Sequence, residues 1–527
     1  MSSSSATHSH EPMKLNRDLW TRNLSIVGLV LAWGVSIASL ATGIIVVVLP
    51  NANVPEYLAR KMFFIGSTPH LWMKAGRYPA GHRIYRVNEI IMTILPPIIQ
   101  LLITLISGCL DSIHSTTLRW ALWHEGRLRY NSNLRLFTSS KRNGPNKWPA
   151  NIIATIGLVL ANGGTSILIF PVSVTAIVLS AGRDLQFDYD IDGIQDRNGI
   201  DFNGWGLIGL GAGLLPQSII STWALLDSAY VGTWNSNPIA TAKACRIMQD
   251  SLRDPLQSHT QFSLPSFHFE SDIELLPTYR PPPSDPSAKP TFPVLRQPSA
   301  LTHCPQTRTL TNLLHTTTSL LAIFTITISI LATRRGASPS SLGPSTTPHL
   351  IHNSSGHNTP WYTFQFFGVE YDYNGNPFAD RIEYICLLIQ CAVLTIPLFG
   401  LHVAELLVQM QKDEKIWRQA ATKGVDVDGS LILQGAKTWE VWFILLSKAA
   451  VPWLMGLGVV CDKNLYLLML PMVTLTVLFL VLGGVVEYLA RRRPRGTQPA
   501  AYGDVLMLGE LVDEWREGRL YWVDKGV

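Results

Sequence analysis

Residues 24–49 read LSIVGLVLAWGVSIASLATGIIVVVL, an apolar run without a single charged side chain. About 20 helical residues cross the roughly 30 Å of a bilayer's hydrocarbon. Lipid tolerates only backbone that satisfies its own hydrogen bonds, so the run is expected to be a spanning helix. Lys14, Arg17 and Arg22 precede it. It is longer than the roughly 7–15-residue apolar core of a cleaved signal peptide, so it reads as retained.

Working outward, comparable runs occupy 87–113, 152–180, 205–230, 311–333, 382–404, 441–460 and 465–489. The expected fold is therefore all-α, a polytopic transmembrane helical bundle of about eight spans. Thr316, Thr317, Thr318, Thr325 and Thr327 dilute the fifth run, but hydroxyls can bond back to the preceding turn of a helix. Only Cys461, Asp462, Lys463 and Asn464 part the last two runs, which predicts a tight helical hairpin. Pro96-Pro97, Pro171, Pro216, Pro397, Pro452 and Pro471 interrupt six spans and are expected to kink them. No inverted repeat is evident.

Of 527 residues, 47% are hydrophobic and 15% charged, against about 25% charged in soluble chains. The net charge of +5 is modest, and the basic residues flank apolar runs. That is an orientation signal, not a nucleic-acid surface. Six cysteines without a CxxC pair exclude a disulfide framework or a thiolate zinc site. Cys109, Cys386 and Cys391 lie in apolar runs and read as small core residues.

Orientation follows from the short loops. Segment 114–150 carries Arg119, Arg127, Arg129, Arg135, Lys141, Arg142 and Lys147 against Glu125 alone. Segment 405–440 holds Lys412, Lys415, Arg418, Lys423 and Lys437, and the last run exits into Arg491-Arg492-Arg493-Pro494-Arg495. Eight spans put all three on one side, the cytosolic one, with both termini, in the plasma membrane or a secretory-pathway membrane. The acidic 181–204 loop falls outside, as does 334–381 with the glycosylation sequon at Asn353. The 50–86 loop also falls outside, against its six basic residues.

The chain divides into a polar tail (1–23), a first four-span half (24–230), a Pro/Ser-rich loop (231–310), a second four-span half (311–489) and a tail (490–527). The loop buries too little apolar surface to offset ordering and is expected to be disordered. In 503–522, Val505, Leu508, Leu511, Val512 and Trp515 share a helical face, which predicts an amphipathic helix.

His114–Leu122, Glu125–Leu128, Asn133–Thr138, Thr233–Pro238, His402–Leu407 and Tyr521–Gly526 together resemble a family of multi-pass membrane proteins of filamentous, ascomycete-type fungi. The resemblance covers most of the chain outside the N-terminal tail and the Pro-rich loop. It implies a membrane location; no activity is assigned to that family, so no catalytic residue is carried over.

Two polar pairs carry the sharpest chemistry. Asp111-x-x-His114 and His402-x-x-Glu405 each present a carboxylate and an imidazole on one helical face, at equal depth near the cytosolic surface. Convergence would make a mixed nitrogen/oxygen transition-metal site; the plainer reading is interfacial polar groups closing helix ends, with Arg119 and Lys448 as ion partners. Asp188, Asp190, Asp192 and Asp196 around Gly193 match the first half of a Ca²⁺ loop, but Gly199 stands where the bidentate Glu belongs. Glu487 has Arg491 at i+4 as an ion-pair candidate. Gln100, Asn162, Gln217 and Gln390 read as interhelical glue, and Gly209-x-x-x-Gly213 as a close-packing face, not a nucleotide loop.

No cofactor is required by these readings, and nucleic acid is excluded as a partner. Membrane lipids are expected partners. The basic, Trp-containing 114–150 loop is a surface for anionic headgroups or cytosolic proteins, and Arg280-to-Pro286 fits a ligand for aromatic-grooved domains. The expected function is non-enzymatic, as receptor, scaffold or membrane organiser. The alternatives are a transporter or channel for a small solute and a membrane-embedded metal-dependent lipid enzyme.

Overall fold

The structure is a computed structural model. It describes residues 19–48, 70–73, 82–133, 135, 137–173, 198–227, 231–253, 297–334, 363–367, 378–422, 424–426, 438–461, 465–495, 502, 504–505, 508, 514–516 and 519–521. The Asp188–Asp196 loop, Asn353 and the Arg280–Pro286 motif lie outside the described residues.

The first half runs α1 (Leu19–Val48), β1 (His70–Met73), α2 (His82–His124), α3 (Trp148–Ser166), β2 (Ile169–Ser173), β3 (Asn198–Asn203) and α4 (Gly204–Leu226). Two short helices follow, α5 (Pro238–Arg253) and α6 (Ala300–His303). The second half runs α7 (Pro305–Arg334), β4 (Thr363–Phe367), α8 (Phe378–Thr422), β5 (Val425–Asp426), α9 (Trp439–Gly458), β6 (Val459–Cys461), β7 (Leu465–Leu468) and α10 (Met469–Arg491). The tail adds β8 (Glu514–Arg516) and β9 (Arg519–Tyr521).

This is an all-α bundle trimmed with three small antiparallel sheets, and seven of its helices are long and apolar enough to cross a membrane. Large apolar side chains such as Leu31, Ile37, Leu102, Ile326, Leu446 and Leu480 point outward, as lipid-facing residues must. The chain is built as an integral membrane protein. The remaining bundle helix, α3, is shorter and richer in small and polar residues, with Ala154, Gly157, Ala161, Asn162 and Gly164 buried. Its 19 residues reach about 28 Å. It packs against α2, α4, α8 and α9, so much of its surface meets protein, where hydropathy is not demanded.

The two halves repeat one another. Helix lengths run 30, 43, 19 and 23 residues in the first and 30, 45, 20 and 23 in the second. Each half closes a three-stranded sheet with its third strand in the middle, in the orders β1-β3-β2 and β4-β7-β6. Each long helix ends on a left-handed glycine, Gly126 (φ 65°) and Gly424 (φ 66°), the αL stop that costs glycine no Cβ clash. After each glycine the chain pairs with the C-terminal tail: Tyr130 bridges Asp504, and Val425 pairs with Leu520. Four helices per half return the chain to its starting face, so the repeat is direct, not inverted. The halves meet with matching pairs, α2 on α9 and α3 on α8, and with α3 on α9.

Both sheets of the halves lie at one end of the bundle, since Gly456 of α9 and Ser166 of α3 touch there. The tail, α5, α6 and the ends of α2 and α8 make the opposite end. These ends are called the sheet face and the tail face. The 50–86 loop sends β1 to the sheet face, pairing with β3 from the acidic loop. Sheet hydrogen bonds therefore place it despite its basic residues.

Four expectations are corrected. The third span does not reach 180: α3 stops at Ser166, and Ile169–Ser173 is a strand. Pro171 cannot donate an amide hydrogen and sits in β2, an edge strand, where a sheet tolerates it. The connection between the last two spans is not a helical hairpin but β6 and β7, which pair with each other and with β4. The amphipathic helix does not run through 503–522, because β8 and β9 form a hairpin completed by β5. The loop 231–310 is ordered at both ends, with α5 burying Ile239, Ala242 and Cys245 against Trp120 and Trp417. Pro471 falls in the first turn of α10, whereas Pro96, Pro97, Pro216, Pro397 and Pro452 lie inside helices.

Candidate functional site

The seam between the halves has two unlike ends. At the sheet face it is made by glycine. Cβ atoms added at Gly163 and Gly456 would strike Cys391 Sγ and Ser166 O, so α3 meets α8 and α9 almost backbone to backbone. The tail-face end is made of buried polar groups.

Arg119, at 3% exposure, sits near the end of α2. Its Nη1 donates to Asn235 O (3.1 Å) and Thr241 Oγ1 (3.0 Å) on the segment that follows α4. Thr241 Oγ1 lies 3.0 Å from Asn131 Oδ1, and Asn131 Nδ2 donates to Ser236 O (2.8 Å) and reaches Asp413 of α8 at 3.5 Å. Asx turns hold this segment in place: Asn235 Oδ1 accepts from Asn237 N (3.0 Å), and Asn237 Oδ1 from Ile239 N (3.1 Å). Trp120, fully buried, donates its indole N–H to Thr233 O at 3.0 Å.

Asp111, His114, His402 and Glu405 separate into different partnerships. Asp111 is ion-paired with Arg135 of the loop after α2. His114 Nε2 lies 2.7 Å from Asn151 Oδ1, and Asn151 Nδ2 donates to Arg135 O (2.9 Å). On the other side of the seam, Glu405 lies 2.6 Å from Lys448 Nζ and 3.5 Å from His402 Nδ1. Among the described residues no group of three or more His, Cys, Asp or Glu is placed to hold a metal ion. The expected partner roles also shift. Lys448 pairs with Glu405, whereas Arg119 is held by a carbonyl and a hydroxyl. Glu487 does pair with Arg491, and His315 lies 3.5 Å from it.

Arg135 is held on the first-half side of the seam by Asp111. Burial pushes its guanidinium down from its ordinary value, and the Glu405 carboxylate acts in the opposite direction. Around it the loop is anchored by Glu125. Burial alone would raise that carboxyl, but donation from Ser140 Oγ (2.6 Å), Arg142 N (3.0 Å), Arg127 Nη1 (2.9 Å) and Lys141 N (2.6 Å) holds it below the ordinary range. The tail closes the layer: Tyr502 N donates to Glu414 Oε2 (2.9 Å), and its hydroxyl to Pro298 O. Burial pushes that phenol up to about 12. Cys245 is likewise pushed up to about 12 by burial, which leaves its thiol inert.

Next to the glycine contacts, near the sheet-face end of the seam, lies a short polar level. Gln100 Nε2 donates to Asn162 Oδ1 (2.8 Å), joining α2 to α3 as the glue reading expects. Gln217 instead bonds back to Gly213 O within α4 (3.0 Å). Gln390 of α8 is fully buried, and neither amide atom has a hydrogen-bond partner among the described residues.

The network on Arg119, Asn131, Thr241 and Asp413 was not visible in the sequence, because its members come from four separated segments. The unusual density of Asn in 231–237, with Thr233-Trp234-Asn235-Ser236-Asn237, was the available signal. No family model, curated protein or solved structure matches the chain.

Proposed function

We propose that the protein carries a small solute across its membrane by relative movement of its two four-helix halves. The observation that carries this reading is the seam: two direct repeats meet through matching helix pairs, with a buried polar level beside the glycine contacts of its sheet-face end. Carriers built from repeats place their sites at the repeat interface. The seam's ends suit the two openings. Ion pairs and hydrogen bonds at the tail face can exchange for water at modest cost, while glycine contacts at the sheet face let helices slide without unlocking side chains.

The tail face is the cytosolic one in this reading, because Arg491, Arg492, Arg493 and the basic 114–150 segment gather there. Both termini are then cytosolic. A scaffold role drawn from the 114–150 loop would use its outward Arg127, Arg129, Lys141, Arg142, Lys147 and Trp148, since Trp120 and Trp123 are buried and Arg119 and Arg135 are engaged internally.

Purified protein in liposomes tests this directly. Solute flux is expected, and Gly163→Cys, placed against Cys391, should let oxidation lock the seam and stop flux until a reductant restores it. Flux unaffected by a demonstrated cross-link, or none of any tested solute, would overturn the proposal.

A further inference from the structure

We infer that Gln390, Gln100 and Asn162 form a binding site, near the sheet-face end of the seam, for a small uncharged solute bearing hydroxyl or amide groups. This rests on the carrier reading of the seam and adds the class of its cargo.

A buried amide with nothing to bond costs a few kcal/mol or less on protein scales, yet far from nothing. Structural amides in this bundle avoid that cost locally. Gln217 donates to Gly213 O, and Asn162 Nδ2 to Leu158 O at 2.8 Å, each one turn back on its own helix. Gln390 does neither, although its helix offers the same carbonyls. Gln100 is half-engaged: its Nε2 holds Asn162, while its Oε1 has no partner among the described residues.

These groups face one seam. Gly163, next to Asn162, packs on Cys391, next to Gln390, so the amides of α2, α3 and α8 lie at one level across the two halves. Pro397 adds a further acceptor, since it has no amide hydrogen to give the carbonyl of Val393, one turn beyond Gln390. The level thus offers one donor group and several acceptors, which matches a polyol or a urea-like amide.

Charge is what α2, α3 and α8 lack at this level. No Asp, Glu, Lys or Arg lies between Glu89 and Asp111 on α2, between Glu383 and Glu405 on α8, or anywhere in α3. Asp111 and Glu405 stand about 16 Å and 22 Å along their helices from Gln100 and Gln390. On α9, Lys448 lies about 12 Å along the helix from Gly456 and is already paired with Glu405, as Asp111 is with Arg135. An ion at this level would have no free counter-charge among the described residues, at a cost of at least several kcal/mol in low dielectric. An uncharged solute has no such cost.

The test uses full-length protein in liposomes, with light-scattering flux of erythritol and sorbitol against choline and phosphate as charged probes. Flux of the polyols, cut at least tenfold by Gln390→Leu in protein that stays monodisperse and melts no lower, is the expected result. Replacing an unpartnered buried amide by leucine should not destabilise, so a lower melting temperature would itself count against the site. Should that variant fail to fold, Gln390→Asn and Gln100→Leu must each reduce polyol flux. Charged probes crossing while polyols do not, or polyol flux indifferent to Gln390→Leu, would sink this inference and leave the carrier reading standing. No flux of either class would sink the carrier reading as well.

Discussion

The two halves share an order of elements and pack by opposite means. In the first, glycine lets helices close until backbones touch: a Cβ at Gly213 would sit 2.6 Å from Gly157 O, and one at Gly164 2.7 Å from Gly206 O. In the second, bulky side chains fill the space, with Leu394, Leu401, Met455, Met472 and Phe479 at 1% exposure or less. A Cβ at Gly400 or Gly458 there would meet side chains, Phe479 and Met472 at 2.8 Å, instead of backbone, and one at Gly484 nothing within 4 Å. One topology is thus reached with or without close backbone approach. The first half has little room to yield, whereas side chains in the second can repack.

The comparison is open to attack from both sides. Phe479→Ala should destabilise most, by about 4 kcal/mol, because a ring's volume is lost from a full core. Unfolding of the purified protein in mixed micelles measures it, and the loss should be confined to exchange of the second half's amides. Gly213→Ala comes next, at about 3 kcal/mol, since its obstacle is backbone that has no rotamer to give. The same measurement should show the first half loosened. If Gly213→Ala were harmless, the contrast between the halves would fail.

The tail-face loop supplies a pH test. Its Glu125 carboxyl is held below its unfolded value, so its stabilisation is present above the unfolded pKa and is lost as pH falls through the folded one. Protection of 125–147 against hydrogen exchange should therefore be constant near neutrality and drop on acidification below the ordinary carboxylate range. Glu125→Gln should remove that pH dependence and cost about 1 kcal/mol through weaker hydrogen bonds. Smallest of all, Gly484→Ala should raise stability by up to about 1 kcal/mol, because alanine favours the helix and no atom opposes it. In the first half, Gly164→Ala should do the reverse, because backbone opposes its Cβ.

Run lengths announced the spanning helices to within a few residues at most ends, and the exceptions are instructive. Ile169–Ser173 and Leu465–Leu468 are as apolar as the helices they adjoin, so hydropathy extended the span at 152–180 and merged 465–468 into the last one. Strand pairing with β3 and β4 decided otherwise, a non-local choice that composition does not carry. Asp111, His114, His402 and Glu405 were legible as polar groups near the ends of their apolar runs, although the expected equal depth does not hold: His114 lies 12 residues before Gly126 and His402 22 before Gly424. Their partners were not legible, because Arg135, Asn151 and Lys448 come from elsewhere in the chain. Gln390 looked like Gln217 and Asn162 in sequence; only the fold left its amide unpartnered among the described residues.

What this chain settled on its own was its solvent and the rough position of its long apolar helices, because the transfer of an apolar run into lipid depends on local composition alone. Which helix faces which, that the halves repeat directly, and that ions close one end of their seam while glycine closes the other were settled by folding. Contacts between segments hundreds of residues apart depend on shape and register, and neither is written in any single stretch.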